Sequence, residues 1–149
     1  MKSIDVAKLF LLWARRDGDL ITNLKMQKLL YYAQAWHLVF FKRQLFSDAI
    51  EAWSFGPVVP EAYRFFKRYK AAPISCEGND ISGELTKNQM QFLNDFYGKF
   101  IGLSAHELVN ISHSEDPWRD AFHKRGPSSI ITNESMRSFY GEKLRQSRG

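Results

Sequence analysis

The side chains best suited to chemistry in this 149-residue chain are one cysteine, four histidines and scattered carboxylates. A metal ion needs ligands that converge. Cys76 has no second cysteine, and His37, His106, His113 and His123 show neither HExxH nor CxxC spacing. On a helix, His106 and His113 would stand roughly 10 Å apart by rise alone, too far to share an ion directly. Nucleophilic hydrolysis would call for a GxSxG elbow, whereas Ser82 lies among the turn formers Gly78, Asn79, Asp80 and Gly83. Neither a P-loop nor a GxGxxG turn is present for a nucleotide. No carboxylate pair stands out as acid and base, since any helical chain offers such pairs by chance. The expectation is a protein that is not an enzyme, with no catalytic, cofactor or metal residues.

What remains is the chemistry of holding a partner. Lys25 and Lys28 sit in an otherwise apolar stretch, and lysines rarely go fully inside unless paired. They could meet acidic groups on another protein, pair internally with Glu51, or extend their stems to reach water. Gln27 and Gln34 are seven apart on one helical face, where they could bond a partner's backbone or simply be exposed. Trp53, Phe55, Gly56, Pro57 and Val58 form an aromatic, non-helical run that suits an extended peptide or a partner helix. The competing reading packs that run against the second helix. His113, Pro117 and Trp118 invite the same contest, because a histidine can satisfy carbonyls while a tryptophan fills a core.

Charge adds an alternative. The net charge is +5, with 12 basic and 6 acidic side chains in residues 1–70 against 9 and 10 in the remainder. Arg64, Lys67, Arg68 and Lys70 form a basic stripe beside Tyr63 and Tyr69 that could contact nucleic-acid phosphates. No zinc finger, RNA-binding aromatic motif or evident helix-turn-helix accompanies the stripe.

These residues must be positioned by helices. The chain is 44% hydrophobic and 15% aromatic, enough for one real core, so residues 1–149 are expected to form a single domain. The longest apolar run, Leu9 to Ala14, is too short to span a bilayer, and Asp5 interrupts any secretory leader. The lone cysteine fits a reducing cytoplasm. Ser3 is placed as the cap of a first helix over about 4–16, closed by Arg15, Arg16 and Gly18. A second helix, about 23–41, is apolar nearly all round and is therefore expected at the centre. Gly56 and Pro57 predict an extended segment over about 48–58, and Pro60 opens a third helix. Residues 71–85 read as turns around a possible hairpin near 73–85. Capping boxes at Thr86–Gln89 and Ser104–Glu107 start the fourth and fifth helices, the latter with Leu103 and Leu108 as a staple. Asp116-Pro117 caps a short sixth helix, Gly126-Pro127 stops it, and a last helix begins near Thr132. The predicted fold is mainly α: six or seven helices around the central one, with a short extended segment or small hairpin.

Leu20–Phe40 (LITNLKMQKLLYYAQAWHLVF) followed by Asp48–Tyr63 (DAIEAWSFGPVVPEAY) resembles the opening signature of the Panacea, or SocA-like, antitoxin domain. Ser112–Phe122 (SHSEDPWRDAF) is similar to that family's downstream histidine and Pro-Trp element, so the resemblance extends over nearly the whole chain. Lys70–Glu84 and the tail after Gly126 match no signature. The resemblance implies a helical antitoxin, also carried by phages, that neutralises a toxin by direct contact. It implies motif residues at Lys25, Gln27, Lys28, Tyr32, Glu51, Trp53, Gly56, Pro57, Val58, His113, Pro117 and Trp118. One branch of the family hands its toxin to the ClpXP protease, which makes a degradation adaptor the alternative partner reading. The toxin, the interface and the oligomeric state are left open by the sequence.

Overall fold

In the computed structural model, which describes residues 1–148, seven α-helices and one two-stranded hairpin make up the regular structure of the described residues. Helix α1 (Ser3–Asp17) buries Val6, Leu9, Phe10 and Trp13 and ends at Gly18, whose φ of +76° closes the last turn. The expected cap at Ser3 is corrected. Lys2 takes the cap position, and the Ser3 hydroxyl and amide both donate to Asp48 Oδ2, at 2.6 and 2.7 Å. A hydrogen bond to a carboxylate is stronger than one between neutral groups, so the serine hydroxyl donates to Asp48 instead of accepting from a helix amide.

Helix α2 (Asn23–Phe41) starts where the Thr22 hydroxyl accepts from the Lys25 amide, 3.2 Å away. It touches α1, α3, α4, α5, α7 and the hairpin, which is why apolar residues occupy nearly its whole circumference. The central helix over 23–41 is as expected. Both of its glutamines are buried, which corrects the reading of exposed polar spacing. Gln34 accepts from the Leu45 and Phe46 amides (2.7 and 3.2 Å) and donates to the Phe46 carbonyl at 2.8 Å, folding the 42–47 loop back on the helix. His37 holds the same loop through Nδ1 and Arg43 O, 2.7 Å apart. The Gln89 amide faces His37 Nε2 at 3.2 Å while its oxygen accepts from Thr86, so Nδ1 carries the histidine proton.

Strands β1 (Glu51–Trp53) and β2 (Gly56–Val58) pair antiparallel around the tip Ser54-Phe55. The outer edge of β1 is covered by the 128–131 segment, through Ala52 N to Ser129 O (2.8 Å) and Ser128 N to Ala52 O (2.7 Å). Helix α3 (Pro60–Phe66) follows with Pro60 at its first position, and one tighter turn carries it to Tyr69.

A hairpin near 73–85 is not what forms. Ile74 N donates to Ile21 O (2.8 Å) and Asn79 N to Lys8 O (3.0 Å), so the segment spends its backbone donors on α1 and the α1–α2 turn. Gly78 lies so close to α1 that a Cβ there would stand 2.2 Å from the Leu12 amide nitrogen. Helix α4 (Lys87–Phe100) and helix α5 (Ala105–His113) both begin with the predicted capping boxes. Helix α6 (Asp116–Asp120) is capped at Glu115 and not at Asp116, which pairs with Arg119 at 2.7 Å. A widened, π-type turn over Ala121–Arg125 follows, and helix α7 (Asn133–Arg148) packs Met136 and Tyr140 against α2. Among the described residues no helix is long and apolar enough to cross a membrane.

A candidate protein-binding groove over Lys28

Helix α2 carries Lys28 beneath the hairpin, where the side chain is 0% exposed. Its Nζ donates to the Pro57 carbonyl at 2.9 Å, and among the described residues it forms no ion pair with a carboxylate. Burial favours the neutral amine and brings its pKa down to about 7. The backbone fits tightly over it. Gly56 has φ +99°, and a Cβ there would lie 2.9 Å from Ser112 Oγ and 3.1 Å from Lys28 Cε. One residue earlier, Gln27 Oε1 accepts from the Val59 amide (2.9 Å) and its Nε2 donates to Asn23 Oδ1 (2.8 Å). Asn23 in turn donates to Tyr63 O at 3.2 Å, so a polar relay ties α2 to the start of α3.

Above this floor opens a groove of about 570 Å³ between α2, the hairpin and the turn after α3. Trp53, Val58 and Tyr63 wall it, and Lys67 and Lys70 stand at the rim. Phe55, 70% exposed, and Leu24, 41% exposed, present apolar surface at its mouth. Among the described residues no acidic side chain lines it. Two of its lining residues, Lys70 (φ +53°, ψ −126°) and Ser128 (φ +65°), hold backbone conformations that residues with a Cβ seldom adopt. Strain of this kind costs of order 1–3 kcal/mol and gathers where a surface is used.

Behind the hairpin, Trp118 donates its indole N–H to the Trp53 carbonyl (2.8 Å) and stacks on His113 at 4.0 Å between ring centres. His113 Nε2 is buried with no hydrogen-bond partner among the described residues. Burial lowers the His113 pKa, opposed by the Ser54 backbone and helped by the nearby Lys28 and His123. On another side of α2 a second polar cluster closes around Glu115. Tyr32 and Tyr140 donate their hydroxyls to its Oε1 (2.6 and 2.8 Å), and Lys143 reaches Oε2 at 3.0 Å. Burial, followed by the Glu115 charge, raises the Tyr32 pKa far above its ordinary value, so both phenols stay protonated donors.

The residues singled out from sequence therefore separate. Gln27, Lys28, Trp53, Val58, Lys67 and Lys70 line the groove, with Gly56 and Pro57 seated on Lys28. His113 and Trp118 back the hairpin, Pro117 is buried in the first turn of α6, and Tyr32 belongs to the Glu115 cluster. Lys25 donates to Ile101 O at 2.6 Å, on the α4 side. Glu51 pairs with neither lysine. It accepts the Trp53 indole N–H at 2.9 Å, because the hairpin turns both side chains to the same face. Arg64 and Arg68 lie off the groove, one 3.8 Å from Glu61 and the other over the Tyr69 ring at 5.0 Å. Glu115, Asn23, Leu24 and Ser128 were not foreseen as site residues. Glu115 and Asn23 could have been suspected only from their place beside motif residues.

The fold and the groove define a mainly helical domain with an acid-free, lysine-rimmed recess among the described residues. The profile of the antitoxin SocA-like, Panacea domain matches residues 26–119, and the chain belongs to that family. The match encloses α2 from its second turn, the hairpin, α3, α4, α5 and most of α6, and leaves α1 and α7 outside. Antitoxin SocA of Caulobacter vibrioides (strain NA1000 / CB15N) is 52% identical over 46 residues, which span 31% of this chain and 24% of that protein. No solved structure matches.

Proposed function

We propose that this protein neutralises a cognate toxin by binding it directly, without catalysis, and that the groove over Lys28 is part of the contact surface. The observation that carries this reading is the groove itself: exposed Phe55 and Leu24 beside an acid-free, lysine-rimmed recess, on a chain of an antitoxin family. Aromatic anchors in a recess are the kind of contact that supplies most of an interface's affinity. A nanomolar complex corresponds to about −12 kcal/mol, within reach of a few such anchors.

The test is co-expression with the product of the neighbouring reading frame. Growth arrest by the neighbour, relief of that arrest by this chain, and a stoichiometric complex on size exclusion are the expected results. Failure of both relief and complex formation overturns the reading. Toxin half-life, followed after translation is stopped, separates sequestration from degradation: it stays unchanged for sequestration and shortens if the chain delivers the toxin to a ClpXP-type protease.

A further inference from the structure

Lys28 is a basic group sealed under a groove and left without a counter-ion. Lysines at zero exposure are rare because the ammonium loses its hydration, and the usual remedy is a buried carboxylate. Here the remedy is one backbone carbonyl, although Glu51 is on the neighbouring strand and is turned to Trp53 instead. The amine keeps donor capacity unused. The groove above it has no acidic residue, has Lys67 and Lys70 at its rim, and contains two of the three non-glycine residues with positive φ among those described. The three observations are independent, and they converge on one recess.

We propose that the groove receives an extended segment of the toxin bearing an aspartate or glutamate, whose carboxylate pairs with Lys28 while Lys67 and Lys70 draw it in. This rests on the antitoxin reading and names the chemistry the partner must present. A single buried cation among aromatic walls favours one carboxylate flanked by apolar side chains over a run of phosphates, which asks for an array of exposed cations. Lys28 is out of reach of water in the free chain, so pairing requires the outer wall to yield. That wall is the second strand at Gly56 and Pro57, which sit on the Lys28 amine just after the exposed hairpin tip Ser54-Phe55. The segment's carboxylate binds the ammonium form, so binding and proton uptake by Lys28 are coupled. With the Lys28 pKa at about 7 in the free chain, affinity is flat below that pH and falls by up to about tenfold per pH unit above it.

The experiment uses the full chain and two capped peptides, Ac-Leu-Asp-Phe-Asp-NH2 and its isostere Ac-Leu-Asn-Phe-Asn-NH2, with the Lys28 ε-carbon followed by NMR between pH 5 and 9. The expected results are roughly tenfold tighter binding of the acidic peptide at pH 6, loss of that preference above pH 8, and an upward-shifted Lys28 titration in the complex. Lys28→Met abolishes the preference. Should that variant fail to fold, the exposed double substitution Lys67→Glu/Lys70→Glu reports instead, by weakening the acidic peptide about tenfold and leaving the amide peptide unchanged. Equal binding of the two peptides, or a Lys28 titration that ignores them, overturns the proposal, as does a DNA or RNA oligonucleotide displacing the acidic peptide at equal charge. Toxin rescue that survives Lys28→Met in a folded protein sinks this inference and leaves the antitoxin reading standing. Acid-selective peptide binding in a chain that neither relieves the neighbour's growth arrest nor binds its product overturns the antitoxin reading and leaves the acid-binding groove standing.

Discussion

At the scale of single residues, Lys28 makes stability depend on pH. Its folded-state pKa of about 7 lies below the ordinary 10.5, so between those values the folded chain binds fewer protons than the unfolded one. Stability contributed by the neutral amine is therefore absent below pH 7 and grows as pH rises towards 10.5, by at most about 1.4 kcal/mol per unit. Lys28→Met removes that slope. Urea titrations at pH 6 and pH 9 check it: the methionine variant gains on the wild type at pH 6 and loses the advantage at pH 9, where the unsatisfied Pro57 carbonyl is its only deficit. Glu115→Ala acts differently. It strands the Tyr32 hydroxyl, leaves the Tyr140 hydroxyl with only its Tyr31 partner and frees Lys143, a loss of about 2–5 kcal/mol that a thermal melt reads directly.

At the scale of elements, the hairpin is the part with least tolerance. Gly56→Ala would put a methyl group 2.9 Å from Ser112 Oγ at a φ of +99°, and a destabilisation of about 1–3 kcal/mol is expected by denaturant unfolding. Adding Ser112→Ala relieves the contact and not the backbone strain, so recovery is partial. Helix positions were legible because their signals are local: Thr86, Ser104 and Pro60 act where sequence placed them. What escaped was non-local. Ser3 serves Asp48, 45 residues away, and the 73–85 segment pairs with α1 and its following turn instead of with itself. The same limit applies to the groove. Lys67, Lys70 and the Trp53–Val58 run were recognised separately, but nothing in spacing shows that Lys28 lies beneath them or that Glu51 turns to Trp53.

At the scale of the whole molecule, the basic excess of the first half acts on encounter. Lys67 and Lys70 are exposed rim charges, so on the proposed toxin-binding reading their replacement by glutamate is expected to slow association about tenfold at low salt and leave the melting temperature unchanged. Stopped-flow mixing at two ionic strengths measures it, and a salt-independent rate contradicts it. The Glu115 cluster carries a different lesson. Its carboxylate lies inside the region shared with the family, whereas Tyr140 and Lys143 come from α7, beyond the last matched residue. A fragment trimmed at that border would bare an anionic side chain on the flank of the central helix and strip the cover from Tyr31 and Trp36, both of which pack on Tyr140. The matched region and the stretch this chain needs to cover Glu115 have different ends, so a transplant of that region from this chain has to carry its last helix along.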